Sequence, residues 1–213
     1  SKRGIWFLEL NYLGNLVKES SFDTIAHEHI CYYSLNSLKS ILDRNSMYIN
    51  KIDFSDINGG SIRMIISRKK TSLVKIKKIL NDEIKLGLTN FKKLKSILSN
   101  LKNIRLKLRN FITQENKKGK KIAILGASTR GNTILQFCNL NWRDFIGASD
   151  RNKDKQNLYM NGSLIKIFSE EYIRKQKFDY FFVLPYFYIK ELVQREKEML
   201  KNGIKFIVPV PKP

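Results

Sequence analysis

Lys121-Ile122-Ala123-Ile124-Leu125-Gly126-Ala127-Ser128-Thr129-Arg130-Gly131-Asn132-Thr133 reads as a strand, a tight glycine loop and the start of a helix. A short unbroken apolar run bounded by turn residues suits a strand covered on both faces. The alternation continues downstream. Phe145-Ile146-Gly147-Ala148-Ser149 gives a second strand, ended by Asp150, and a hairpin-like loop follows around Asn161-Gly162. Helices are predicted over 132–138, 169–177 and 189–202, with a third strand over 179–184 and a fourth over 204–208. Strand and helix alternating at this spacing make 119–213 a Rossmann-like, doubly wound α/β domain.

The loop itself is close to a dinucleotide-binding fingerprint. Gly126 and Gly131 stand at the outer glycine positions, but Ser128 replaces the middle glycine that lets a pyrophosphate approach the backbone. Asp150 lies where a ribose-binding acid would be expected. An anion could rest on the backbone N–H groups at the helix start, helped by Arg130. Three readings stay open at this point: a bound phosphorylated ligand, NAD, and glycines that serve only a strand-to-helix turn.

Upstream, 71–118 is a lysine-laced helical connector. Leu94, Leu98, Leu101, Ile104, Leu108 and Phe111 or Ile112 recur at spacings of three and four, one apolar stripe that reads as a packing seam. Gly87 is expected to separate a shorter helix before it. The first 70 residues have another texture. Ile5-Trp6-Phe7-Leu8-Glu9-Leu10 reads as a buried strand of a parallel sheet, and Ser34 as the N-cap of a helix beginning at Leu35. Residues 48–54 and 62–67 are predicted strands joined by the turn Asn58-Gly59-Gly60-Ser61. The order matches the last third of a doubly wound sheet that finishes with an antiparallel pair.

Forty Lys and Arg against 19 Asp and Glu give a formal charge of +21. The lysines are spread along the whole chain, without a basic and aromatic platform or a recognition helix, so nucleic acid is not the favoured partner; an anionic small molecule is. The apolar share of 42% supports a globular fold, and no run approaches the roughly 18 apolar residues of a membrane span. The opening residues lack the pattern of a signal peptide. Cys31 and Cys138 are far apart and form no ligand pair, which points to a reduced, cytoplasmic setting.

Both histidines of the chain fall in Phe22-Asp23-Thr24-Ile25-Ala26-His27-Glu28-His29-Ile30-Cys31-Tyr32-Tyr33. A metal site is thinly supported, because no third ligand of matching spacing is visible. A purely structural loop pair is a second reading. The third is acid–base chemistry, in which one imidazole takes a proton and the adjoining carboxylate orients it or a substrate hydroxyl.

Several of these stretches together resemble one family, the S-adenosylmethionine-dependent C-methyltransferases of nucleotide-linked deoxysugars. Its segment of type F-D-T-I-Y-H-E-H-x-x-Y-Y-S-L is similar to residues 22–35, and its H-G-G-S-x-R turn to Asn58-Gly59-Gly60-Ser61-Ile62-Arg63. Its G-A-S-x-x-G-N-T is matched by residues 126–133. Leu184-Pro185-Tyr186 and Pro209-Val210-Pro211 also fit. The resemblance implies that 1–70 is the end of a methyltransferase domain. It implies methyl transfer to a carbon beside a sugar ketone, with His29 as general base and Glu28 as its companion. Gly126, Ser128, Arg130 and Asn132 would then lie near the substrate. The main S-adenosylmethionine loop and a structural zinc region would lie in an N-terminal half that this chain lacks and that a partner chain could supply. Two alternatives are a nucleotide- or sugar-binding module without catalysis and an NAD-binding oxidoreductase. The chain departs from the family at Ala26, where tyrosine is usual, at Asn58 for histidine, and at Phe187 for asparagine.

Overall fold

A computed structural model describes residues 4–55, 60–71 and 74–210, apart from the side chains of Ile97 and Leu98. Asn58-Gly59 of the expected turn and Pro211 of the closing motif lie outside the described residues. The chain divides into two compact units, Ser1–Ser21 with His29–Asn100, and Phe22–Glu28 with Leu101–Pro213.

In the first unit, strands β1 (Ile5–Asn11), β2 (Tyr48–Ser55) and β3 (Ser61–Ser67) form an antiparallel sheet in the order β1-β3-β2. Helix α1 (Leu13–Glu19) follows β1. Helix α2 (Leu35–Arg44) begins as expected at Ser34, whose Oγ accepts from the Ser37 N–H while Ser37 Oγ accepts from the Ser34 N–H, each at 3.1 Å. This reciprocal cap satisfies two of the donors that every helix start leaves orphaned. Leu35, Leu38 and Leu42 of α2 and Ile76 and Ile79 of α3 (Val74–Leu86) pack with Ile49, Ile52, Ile62, Met64 and Ile66 of the sheet. The expectation for β1 is corrected. It is not a buried strand of a parallel sheet but an edge strand, antiparallel to β3, with Ile5 74% and Phe7 64% exposed.

Helix α4 (Phe91–Lys117) runs from the first unit into the second, and Gly87 separates it from α3 as predicted. Of the predicted stripe, Leu101, Leu108 and Ile112 are buried, so the seam passes through Ile112 and leaves Phe111 partly exposed.

The second unit holds a five-stranded parallel sheet, β6-β5-β4-β7-β8. Its strands are β4 (Ile122–Leu125), β5 (Ala148–Ser149), β6 (Ile167–Phe168), β7 (Tyr180–Val183) and β8 (Lys205–Ile207). Every β4 residue is buried, as the apolar run demands. Ile122 and Ile124 join one core with α4 and with Ile134 and Leu135 of α5 (Thr129–Phe137). Ala123 and Leu125 face the other way, onto Ile173 of α6 (Glu170–Arg174) and Leu192 of α7 (Ile189–Arg195). Alternate residues of one strand thus feed two helical layers. Strand β6 escaped the sequence reading, since two residues carry no readable period. The expected helix over 189–202 is two, α7 and α8 (Lys197–Lys201), broken at Glu196, whose carboxylate turns inward to Arg174 and Arg195 at 2.7 Å each. Among the described residues no helix is long and apolar enough to cross a membrane.

Candidate functional site

In the second unit, strand order reverses beside β4: β5 and β6 lie to one side, β7 and β8 to the other. Doubly wound sheets take ligands in the crevice at the carboxyl ends of the strands at such a point. Two loops meet there, one after β4 and one after β7. Gly126 has φ +83° and lies so close to Pro185 that a Cβ would come within 2.9 Å of its Cδ. A Cβ on Gly131 would come within 2.5 Å of Leu184 Cδ1. Both glycines are therefore required by close packing of one loop on the other.

The Ser128 Oγ caps α5 by accepting from the Gly131 N–H at 3.0 Å. Asp150, in the ribose-acid position, accepts from the Ala127 N–H at 3.0 Å and from the Asn152 N–H at 2.9 Å, with the Lys155 ammonium 3.5 Å away. A ribose would have to displace those donors. Asn132 Oδ1 is buried, with no hydrogen-bond partner among the described residues, an acceptor that leaves one bond unmade.

A third piece of chain enters the same crevice from far upstream. Ser20, at φ 52°, ends α1 in the left-handed region, and Phe22–Thr24 forms a single 3-10 turn. The Phe22 ring packs on Phe137 at 4.7 Å between centroids and joins the main core of the unit. Asp23 is fully buried. Its Oδ2 accepts from Arg130 Nε at 2.6 Å and its Oδ1 from the Tyr186 hydroxyl at 2.8 Å. The Arg130 guanidinium also stands 4.5 Å over the Phe187 ring, so the residue that departs from the family pattern supplies a cation–π face.

The structure thus places Gly126 and Ser128 on the loop after β4 and Arg130 and Asn132 in the first turn of α5, and adds Asp23, Tyr186 and Phe187, to which the sequence assigned no role. Asp23 stood inside a quoted motif, but its partners are 107 and 163 residues away, and only the fold joins them.

Beyond Asp23 the arm rises to the surface. Glu28 and His27 are exposed, 3.9 Å apart between Oε1 and Nε2, and count with the second unit; His29 counts with the first. His29 is half-buried, its ring edge-on to Tyr32 at 6.4 Å between centroids. The chain is then tied down again: the Tyr33 carbonyl accepts from the Leu13 N–H at 3.0 Å, and the Ser34 cap follows. A hydrogen bond with the exposed Cys31 thiol holds the Tyr33 phenol above its ordinary range. Among the described residues no group of three or more His, Cys, Asp or Glu could hold a metal ion. Among the described residues, the turn after β1 does not make a glycine cradle for S-adenosylmethionine either. After β1 the chain runs Tyr12-Leu13-Gly14 straight into α1, and a Cβ on Gly14 would meet the Tyr12 ring at 2.3 Å, so that glycine serves packing.

Against this geometry the comparisons with known proteins are specific. Over 213 residues the chain is 31% identical to the C-methyltransferase NovU of Streptomyces niveus, an alignment that takes in 99% of this chain and 51% of that protein. The chain spans about half the length of this relative. Residues 56–211, which hold β3 and the entire five-stranded sheet, match the C-methyltransferase C-terminal domain. The chain belongs to the C-methyltransferase C-terminal domain family.

Proposed function

We propose that this chain is the base-bearing and acceptor-binding part of a C-methyltransferase that acts on a nucleotide-linked deoxysugar, at a carbon beside its ketone. The observation that supports this most is the anchoring of the His27-Glu28-His29 segment. In the second unit the buried Asp23 carboxylate holds the arm that ends at the exposed Glu28; in the first unit the half-buried His29 stands five residues before the Ser34 cap of α2. A side chain on a segment held within its own unit in this way can meet a ligand at a lower entropy cost than one on a mobile loop.

In this reading a nitrogen of neutral His29 accepts the proton from the sugar carbon. The C–H electron pair moves into the carbon–carbon bond and the carbonyl pair onto oxygen, giving an enolate. Glu28 orients the imidazole or a sugar hydroxyl. The stretch from Gly126 to Asn132 receives the nucleotide sugar: the N-terminal end of α5 suits a phosphate, and Asn132 Oδ1 suits a hydroxyl donor. S-adenosylmethionine, the methyl donor that the family implies, belongs to residues outside this chain's described part. A chain supplying that half is the expected partner, and a reduced, cytoplasmic setting is the expected location.

Deprotonation can be tested without a methyl donor. The chain, incubated in D2O with a nucleoside-diphosphate-linked keto-deoxysugar, is expected to wash deuterium into the carbon beside the ketone, followed by NMR. His29→Ala is expected to lower that rate by about a hundredfold or more, the usual worth of a positioned base. Equal washout by wild type and His29→Ala would remove His29 from the role. Stoichiometric binding of the sugar with only background washout would favour the second reading, a binding module without catalysis.

A further inference from the structure

The F-D-T, G-A-S-T-R-G and L-P-Y stretches are distant in sequence, yet their residues make one interlocked cluster at the switch point of the second unit. Gly126 lies against Pro185, Gly131 against Leu184, and Arg130 between Asp23 and Tyr186. We propose that Asp23, held by Arg130 and Tyr186, is a positioning residue that locks the arm 22–28 onto the acceptor loop, so that Glu28 is carried by the same unit as the loop that receives the sugar nucleotide. The proposal rests on the reading of His29 and Glu28 as the reacting pair.

Three physical points carry it. First, a fully buried carboxylate is expensive to desolvate and is weak evidence for added stability, because an apolar group of similar volume usually serves as well; its gain is in fixed geometry. Second, the geometry here is over-determined. Guanidinium and phenol approach different oxygens of one carboxylate, Phe187 fixes the guanidinium plane from its face, and the Phe22 ring is buried beside it. Third, the place is where a doubly wound sheet ordinarily takes an external anion. The carboxylate of Asp23 satisfies the Arg130 charge there from within the chain, so the loop and the arm behave as one body. From Asp23 the arm needs five residues to reach Glu28, and its first turn is stiffened by Ile25 N–H to Phe22 carbonyl (2.9 Å) and Ala26 N–H to Thr24 carbonyl (3.0 Å).

Tyr186→Phe removes one hydroxyl and no volume; Asp23→Asn removes the charge and keeps the shape. In hydrogen exchange on the whole chain, both variants are expected to exchange amides 22–28 about tenfold faster, with the β4 and β7 amides unchanged. In the deuterium washout, the rate at saturating sugar is expected to fall ten- to about a hundredfold, with one sugar bound per chain as in wild type. A merely structural role would lower that stoichiometry in step with the rate. Unchanged exchange over 22–28 in Tyr186→Phe would overturn the proposal, as would unchanged washout in both variants while His29→Ala abolishes it. If His29→Ala leaves washout intact, the parent reading fails instead, and the exchange data still judge the lock.

Discussion

At the scale of single residues the first unit turns on Glu83. This side chain of α3 is fully buried and accepts from three donors: the Tyr12 hydroxyl at 2.9 Å, the Leu35 N–H at 2.5 Å and the Asn36 N–H at 2.9 Å. Two of these are orphan donors of the α2 start, where a carboxylate also meets the positive end of the helix dipole. Burial, and then the bond to Glu83, holds the Tyr12 phenol well above its ordinary range. Glu83→Ala leaves two buried donors and one partly buried donor without an acceptor and is expected to destabilise the unit by about 3 kcal/mol. Glu83→Gln keeps one acceptor but points an amide donor at other donors, and is expected to cost about 1–2 kcal/mol. Urea unfolding followed by the unit's own tyrosine signal measures both, and a change under about 0.5 kcal/mol for the alanine variant would show that water replaces the carboxylate at no cost. Ser34 as a cap was legible in the sequence because its partner is three residues away. Glu83 was not legible as the second cap, since its backbone partners are 47 and 48 residues distant. The same holds for Asp23: the composition of a motif shows that a carboxylate is present, not which cation the fold brings to it.

At the scale of elements, long periodic stretches were readable and short or shared ones were not. Helices α3 and α4, the Gly87 break and the buried β4 followed from period and composition. Strand β6, at two residues, had no period to read, and the break between α7 and α8 depends on Glu196 meeting Arg174 from another helix. Strand β1 is the instructive case. An apolar run on both faces of a strand calls for neighbours on both sides, and the described residues provide one, β3. The sheet's other edge is guarded. Strand β2 carries a register shift between Ile49 and Lys51, and Lys51 and Asp53 stand along it, both of which discourage further pairing. Edge β1 instead exposes Ile5, Trp6 and Phe7. The chain alone is therefore expected to self-associate through β1, as shown by a sedimentation coefficient that rises with concentration, most strongly in salt that screens the +21 charge. Phe7→Lys is expected to return it to a monomer. Concentration-independent monomers of the wild type at 0.5 M salt would show that β1 is adequately covered.

At the scale of the whole molecule, the excess of cations sets how the fold responds to acid. Nineteen carboxylates face 40 Lys and Arg, and several of those carboxylates sit at buried junctions. Burial alone would raise the Glu196 carboxyl, but Arg174 and Arg195 together hold it below the usual range. Glu115 is held low by Lys118 and then by the Tyr180 hydroxyl, and Asp179 by Lys120 and the Lys121 N–H. The bond to Glu115 in turn pushes the Tyr180 phenol up to about 12. Each of these carboxyls binds its proton less readily when folded than when unfolded. Their stabilisation is thus complete above the unfolded range, near 4 to 4.5, and is lost as pH falls through the lower folded values. Each protonation also strips a counter-charge from a molecule that already repels itself. The urea midpoint is therefore expected to be level between pH 8 and 6 and to fall steeply below about pH 4.5. Added salt at pH 4 should recover part of the loss by screening the self-repulsion. Glu196→Gln, which cannot titrate, should lower the midpoint at pH 7 and flatten its fall in acid. A midpoint that stays level down to pH 3 in the wild type would mean that these carboxylates gain as much from their donors protonated as ionised, and would take the acid response away from the ion pairs.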